Sequence, residues 1–277
     1  AGWDVDAAWV ERNDGLSATP GFRYAKHIEA LVEGLKTPRK VLLLVPAGDS
    51  VEKALAALAS KLQPGDIVID CGNSHYQDSI SRGSRESLQG MHFVGLGVSG
   101  GSVGARYGPS MMFGGDHYSW GHVRPILEKI AAQGIDGPCL KRFGDFGAGH
   151  FVKMVHNGIE YAEMQLIAEA HDIMSRGMGL SHSEQADFFK RANQGPLQGF
   201  LIDLARKVLE PTTTSLDLII DSAEQKGTGA WSVMAALELG VSIPCIAAAV
   251  DARLMSSFWG ERQRRASIFG NASADAS

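Results

Sequence analysis

The sequence predicts an α/β fold followed by an all-α one, with a parallel-sheet domain over residues 1–148 and a helical domain over 149–277. Three observations predict it. The continuous apolar runs Lys40-Val-Leu-Leu-Leu-Val45 and Asp66-Ile-Val-Ile-Asp70 read as strands buried on both faces. Helix-length segments separate these runs from a third that opens at His92-Phe-Val94, the order of a parallel sheet with right-handed crossovers. After Gly149 the segments become long and helical.

The elements follow in order. Residues 1 to about 25 are weakly patterned: Trp3 and Trp9 are large, but Asn13, Asp14, Gly15, Pro20 and Gly21 break any long element. A short helix is expected from His27 to Leu35. After the first strand, Ser50 is placed to cap a helix over 51–62, with Leu55, Leu58 and Leu62 on one side. Pro64-Gly65 turns the chain into the second strand, which ends in the loop Cys71-Gly-Asn-Ser74, and a helix follows over 77–88. A further strand is expected over 110–115, a helix over 120–132 and a last strand over 139–143. The helical domain reads as 150–176, 184–193, 197–209, 230–239 and 244–268, with Ser181-His-Ser-Glu184 as a capping box. The end Asn271 to Ser277 reads as a disordered tail.

The totals exclude several classes of function. The chain has 277 residues, 44% hydrophobic and 21% charged, as in a soluble globular protein of one or two domains. A net charge of -5 gives no sign of a nucleic acid or an anionic membrane as partner. No apolar run reaches the roughly 20 residues that span a bilayer, and the N-terminus lacks the pattern of a signal peptide. Cys71, Cys139 and Cys245 form neither a metal-ligand spacing nor an even disulfide set, which suits a reducing, cytoplasmic compartment.

In parallel sheets, ligands gather at the C-terminal strand ends. Those ends carry Val45-Pro-Ala-Gly48, Asp70-Cys-Gly-Asn-Ser74 and Gly95-Leu-Gly-Val-Ser-Gly-Gly101. The last matches G-x-G-x-x-G, and Asp116 follows its first glycine by 21 residues. The dinucleotide fingerprint needs a helix beginning inside the motif. Gly101, Gly104, Gly108 and Pro109 argue against one, so the segment is read as a glycine-rich ligand loop.

The stretch Gly147-Ala-Gly-His-Phe-Val-Lys-Met-Val-His-Asn-Gly-Ile-Glu-Tyr161 is the main candidate for chemistry. As a helix it places Lys153, His156, Asn157 and Glu160 on one face with Tyr161 at its edge, and Val152, Val155, Ile159, Ala162 and Leu166 opposite. The Lys153 and Glu160 backbones would stand roughly 10 Å apart, with room for a small polar substrate. Two readings are open: a solvated polar stripe, as on any half-buried helix, or a base and an acid flanking two hydrogen-bonding groups. Gly158, costing about 1 kcal/mol in mid-helix relative to Ala, favours a close approach to this helix. The flexible Gly147-Ala-Gly149 lead-in places unpaired N–H groups where an anion could sit. Beyond it, Lys226-Gly-Thr-Gly229 offers a cation, a hydroxyl and unhindered N–H groups, either a phosphate grip or an ordinary loop. Arg253 either holds an anion or pairs with a carboxylate, and Arg262, Arg264 and Arg265 read as a solvated face.

Taken together these motifs resemble the decarboxylating 6-phosphogluconate dehydrogenases. The residues that carry the resemblance are Val98-Ser-Gly-Gly101, Tyr107-Gly-Pro-Ser110, the stretch 147–161, Gln225-Lys-Gly-Thr-Gly229, Ala252-Arg253 and Ser256-Ser257. It runs from about residue 30 to about residue 268. The family fold it implies is a Rossmann-like nucleotide-binding domain, a large helical domain, and a tail that reaches into a partner subunit of a homodimer. The implied activity belongs to the pentose phosphate pathway: oxidation of 6-phosphogluconate by NADP, loss of carbon dioxide, and release of ribulose 5-phosphate. By resemblance, Lys153 is the general base and Glu160 the acid. Asn73, Ser99, Gly100, Gly101, His156 and Asn157 hold the sugar acid; Tyr161, Lys226, Thr228 and Arg253 hold its phosphate. Val45, Ala47, Gly48 and Asn73 face the cofactor, and no metal is implied. Elementary chemistry agrees: a lysine base needs its pKa brought toward neutrality, and burial beside cations does that.

The sequence also departs from the family. The first strand–GxGxxG–helix unit and the strand after it, which ends in the basic reader of the 2′-phosphate, are not in the chain, nor is the C-terminal half of the helical domain. Both domains are therefore expected to be partial. Pro46 stands where the family has Lys, Cys71 where it has Gly, and Phe113 where it has Pro. The alternative to the enzyme is a non-catalytic chain that binds sugar phosphate or associates with full-length subunits, and little turnover by this chain alone is expected on that ground. Another 3-hydroxyacid dehydrogenase is a third option, against which Lys226 and Arg253 argue.

Overall fold

The computed structural model describes residues 1–12, 20–85, 88, 90–210, 216–223 and 227–270. The chain forms two compact units, Ala1–Lys153 and Met154–Ser277. The expectations for Asn13 to Gly15, Gln225, Lys226 and Asn271 to Ser277 lie outside the described residues.

In the first unit, α1 (Ala7–Arg12) and α2 (Ile28–Glu33) precede β1 (Lys40–Leu43), α3 (Asp49–Ala59), β2 (Ile67–Asp70), α4 (Tyr76–Gly83) and β3 (His92–Ser99). Then come α5 (Gly101–Tyr107), β4 (Ser110–Gly114), α6 (His117–Ile130), the small antiparallel pair β5 (Gln133–Gly134) and β6 (Gly137–Pro138), and β7 (Leu140–Gly144). The five-stranded sheet has the order β1-β2-β3-β4-β7. β1, β2 and β3 are parallel, so the loops after them share one edge. The sheet is not parallel throughout: β4 runs against β3, Leu96 opposite Phe113, and β7 follows β4.

Alternation along the strands builds a core on each face. Ile67, Ile69, Val94, Leu96, Met111 and Phe113 pack against Val123 and Leu127 of α6. Val41, Leu43 and Val68 turn the other way, toward Val51 and Leu58 of α3 and Val32 of α2. Phe113 is thus a core residue, with its ring edge-on to Trp120 at 5.0 Å.

Several sequence expectations are corrected here. α3 begins at Asp49 behind Gly48, which makes no side-chain cap, so Ser50 lies inside the helix. α4 ends at Gly83, short of residue 88, where the Ser84 N–H closes the last turn. Gly95-Leu-Gly97 is not loop but the middle of β3, and Gly101–Tyr107 is helical after all, with Gly100 and Gly101 at φ 130° and 56°.

The reason lies in α7 (Ala148–Asp172), whose first turn lies directly on the sheet backbone. A Cβ on Gly97 would stand 2.5 Å from the Lys153 Cβ and 2.7 Å from the Gly149 carbonyl. One on Gly149 would overlap the carbonyls of Gly95 and Met112. These glycines permit a backbone-on-backbone contact that no side chain would tolerate.

In the second unit, α7 runs on into a π turn over Ile173–Gly177. Then follow α8 (His182–Ala192), α9 (Phe200–Leu209), a 3₁₀ turn (Leu216–Leu218), α10 (Thr228–Leu239), α11 (Pro244–Ser257) and α12 (Trp259–Phe269). Both halves of the Ser181/Glu184 capping box form. Met174, Ala186, Phe189 and Leu209 make the core of α7, α8 and α9. The expected helix over 244–268 is two, broken at Phe258.

The expected apolar stripe of α7 is not its buried face. Ile159 is 48% and Leu166 57% exposed, whereas Met154 and Gly158 are buried. A Cβ on Gly158 would lie 3.1 Å from Ser232 Oγ and 3.2 Å from Ile246 Cγ2. The mid-helix glycine therefore admits α10 and α11.

Candidate functional site

In the first unit, the parallel strand ends bring Val45, Ala47 and Gly48, then Asn73, then Ser99, Gly100 and Gly101 to one edge of the sheet. Gly48 and Gly101 face open space on the side a Cβ would take. α3 begins at this edge without a side-chain cap, and its first turn carries Asp49 and Glu52. Lys153 enters the same unit from α7, its Cβ seated over Gly97, two residues before Ser99.

Beneath this edge lies a buried polar network that sequence reasoning missed. Asp70, at the end of β2, accepts from the Gly72 N–H at 2.9 Å, Ser74 Oγ at 2.7 Å and Arg82 Nη1 at 3.3 Å. Arg82, itself buried, donates through Nε to Glu52. His150 is 2% exposed, and its Nδ1 lies 2.6 Å from Ser79 Oγ. Its Nε2 is buried without a hydrogen bond. Burial and the Arg82 charge lower the His150 pKa against the pull of Asp70 and the Asp70 and Gly72 backbone, which favours the neutral ring. The available signal was a charged residue closing an otherwise apolar strand and a histidine one turn before Lys153. Cys71, partly buried, follows Asp70 in the chain; burial first, then the Asp70 charge, pushes its thiol up to about 12.

In the second unit, α7 presents His156, Asn157, Glu160 and Tyr161. His156 Nδ1 faces the Glu160 carboxylate at 3.6 Å, both side chains part-exposed. Asn157 donates to Thr228 Oγ1 at 3.2 Å, and Thr228 is buried at the start of α10. The Arg253 guanidinium lies over the Tyr161 ring at 4.0 Å, an arrangement that fixes a planar cation. Gly229 makes room for that ring, which a Cβ there would meet at 2.7 Å. Asp221 and Ala223 are anchored: Ala223 N–H donates to Ser256 Oγ, and Arg262 grips Asp221 through its carboxylate and carbonyl. Arg262 is therefore a clamp and not part of a solvated face; Arg264 and Arg265 pair with Glu261 on the exposed side of α12.

A cavity of about 670 Å³ beside His156 and Glu160 is walled by Leu166, Phe188, Phe189, Leu197 and Phe200. His156, Glu160 and Glu163 are the charged or titratable part of its lining, and the rest is mostly apolar. Among the described residues no group of three or more metal-ligating side chains converges, and no helix is long and apolar enough to cross a membrane.

A mostly parallel sheet with glycine turns at its ligand edge, joined through one long helix to a helical unit, defines the class of Rossmann-type nucleotide-binding proteins with an α-helical second domain. Comparison with known proteins narrows the class. The NAD binding domain of 6-phosphogluconate dehydrogenase matches residues 2–144, and the C-terminal domain of 6-phosphogluconate dehydrogenase matches residues 149–277. The chain belongs to the 6-phosphogluconate dehydrogenase family. The decarboxylating 6-phosphogluconate dehydrogenase of Cunninghamella elegans is 48% identical over 88% of this chain and 51% of its own. That of Synechococcus elongatus is 44% identical over 95% and 57%. The chain thus spans about half the length of the curated relatives it matches. The solved Plasmodium falciparum 6-phosphogluconate dehydrogenase, described with its cofactor NADP+ and its substrate 6-phosphogluconate, superposes with a TM-score of 0.86 at 37% identity. That match covers 95% of this chain and 58% of the other.

Proposed function

We propose that the protein serves the oxidative decarboxylation of 6-phosphogluconate to ribulose 5-phosphate with NADP as acceptor. The observation that carries this reading is the α7 row, on which Lys153, His156, Asn157 and Glu160 follow at helical spacing. The Val45–Gly48 and Asn73 turns would hold the cofactor. When bound, NADP supplies the ring that accepts hydride from C3.

The protein's own groups would move the protons. The Lys153 amine takes the proton of the 3-hydroxyl as the carbonyl forms. It then donates a hydrogen bond to that oxygen while the carboxylate leaves as carbon dioxide and the bonding electrons pass into the carbonyl. Glu160 returns a proton to the carbon of the resulting enediol. Ser99, Gly100, Gly101, His156 and Asn157 hold the acid and its hydroxyls. Tyr161, Thr228 and Arg253, with Lys226, hold the phosphate.

The reading extends to place and partners. The three free cysteines favour a cytoplasmic setting. Exposed Ile159, Leu166, Phe188, Leu197 and Phe200 favour a second protein surface, a homodimer in this reading.

Thermal unfolding with and without millimolar 6-phosphogluconate tests the substrate. A higher melting temperature is expected, reduced in Arg253→Ala. NADPH formation tests the chemistry: whatever rate the chain sustains should fall about 10²- to 10⁴-fold in Lys153→Ala. No stabilisation by 6-phosphogluconate, or a rate indifferent to Lys153, overturns the proposal.

A further inference from the structure

We infer that His150 is a positioning residue, which through Ser79 and the Asp70–Ser74 turn holds the first turn of α7, and hence Lys153, in register with the loop that carries Asn73. The inference rests on the proposed role of Lys153 for its meaning, but not for its geometry.

Four groups of this network are almost wholly buried: Asp70 and Ser79 at 0% exposure, Arg82 and His150 at 2%. Burying polar groups is costly unless they bond one another, and an apolar set of equal volume would fill the space without that cost. Stability alone therefore gives no reason for an imidazole here.

Through Ser79 the imidazole reaches both partners that have to be aligned. Toward α4, Nδ1 meets Ser79 Oγ. Toward the loop, the same Ser79 bonds through its N–H to the His75 carbonyl, at the end of the 71–74 turn. The loop is itself set by Asp70, which accepts from Gly72 N–H and Ser74 Oγ on either side of Asn73.

The sheet fixes the remaining degree of freedom. Gly95 lies under the ring, where a Cβ would come 2.9 Å from His150 Nδ1. Gly97, two residues on, lies under Lys153, one helical turn after His150. A tilt of α7 at His150 is therefore felt at Lys153. An Nδ1 that accepts from the Ser79 hydroxyl leaves the proton on Nε2, which is buried without a hydrogen bond. Ser79 joins the ring to His75, and Asp70 joins Gly72 to Ser74 on either side of Asn73, so the position of Asn73 and the seating of Lys153 depend on each other.

The test reads Lys153 chemically. The 277-residue chain is treated with trinitrobenzenesulfonate, and the labelling rates of Lys153 and of exposed Lys141 are followed by peptide mass spectrometry. In His150→Phe the Lys153 rate should change by about threefold or more, the lower range for residues in contact, while Lys141 stays constant. His150→Asn, whose amide oxygen can still accept from Ser79, should return Lys153 toward the wild-type rate. Should His150→Phe unfold, Ser79→Ala, which removes only the hydroxyl, should shift Lys153 in the same sense. Lys153 labelling at the wild-type rate in the variants, or a shift shared by Lys141, overturns the inference. Adding 6-phosphogluconate separates the two ideas. A variant-dependent Lys153 rate without protection by the sugar acid leaves the positioning role standing and defeats the role of Lys153 in binding substrate.

Discussion

The contact between α7 and the sheet makes a quantitative prediction at Gly97. Replacing it with alanine puts a Cβ 2.5 Å from the Lys153 Cβ and 2.7 Å from the Gly149 carbonyl oxygen. Carbon atoms rest at about 3.5–4.0 Å, so roughly 1 Å of separation has to be opened. Neither obstacle is the end of a flexible side chain: one is a helix carbonyl, the other the carbon next to a helix backbone. Overpacking of this kind costs about 1–3 kcal/mol, and the rigid neighbours put Gly97→Ala at the upper end. For a unit of this size, about 3 kcal/mol lowers the melting temperature by roughly 6–12 °C. Gly121→Ala is the matched control. Its Cβ would have nothing within 4 Å, and it lies inside α6. Alanine there should stabilise, by up to about 1 kcal/mol. Circular dichroism melts of the two variants should therefore move in opposite directions from the wild type. A Gly97→Ala melt that coincides with the wild type would show that the helix can lift off the sheet at no cost, and would remove the physical basis for seating Lys153 there.

Two further outcomes follow from the first unit. Asp66 is buried; burial alone would raise its pKa, but the Gln63 and Arg39 N–H groups and the Arg39 guanidinium at 2.9 Å outweigh burial and hold it below the usual aspartate value. Its folded pKa being depressed, its contribution is complete above about pH 4 and is lost as pH falls through the folded value. Urea unfolding from pH 6 to pH 2 should show that acid-side loss, and Asp66→Asn should blunt it while costing about 1.5–3 kcal/mol at pH 7; an unchanged acid limb would contradict the assignment. For the thiols, Cys71 is pushed up to about 12 whereas Cys245 is exposed. Iodoacetamide at pH 8 should alkylate exposed Cys245 well before partly buried Cys71, and labelling of native Cys71 as fast as Cys245 would contradict the raised thiol pKa.

What the sequence revealed and what it hid divide along a physical line. β2 was legible because a strand buried on both faces is a continuous apolar run, a signal contained in the strand itself; β1 shows the same run but is not buried on both faces, since it lies at the edge of the sheet with Leu42 44% and Leu44 80% exposed. The Ser181/Glu184 box was legible because a cap is settled within four residues. The course of β3 was hidden because Gly95 and Gly97 carry the composition of a turn, yet answer to Gly149 and Lys153, more than fifty residues away. The same holds for Gly158, whose reason is Ser232 and Ile246, and for Arg262, which reaches back to Asp221. Exposed Ile159 and Leu166 looked like core on periodicity, but the face of α7 that packs is chosen by α10 and α11. The α7 row was recognisable as a pattern long before its surroundings were, because a motif of fifteen residues can be read without knowing what touches it.

That distinction bears on how the base would work. A lysine can act as a proton acceptor only where its surroundings favour the neutral amine, and no local sequence rule specifies such surroundings. Here the chain supplies position before it supplies chemistry: glycines in β3 fix how deeply α7 sits, Asp70 fixes the turn around Asn73, and His150, over Gly95, bonds Ser79 of α4. Each of these is a group with no reacting atom of its own. If Lys153 is the base, the accuracy of its placement is set by backbone contacts that would tolerate no added carbon. A substitution at Gly95, Gly97 or Gly149 should then impair proton transfer before it abolishes folding, and the most sensitive positions of the site would be residues that never meet the substrate.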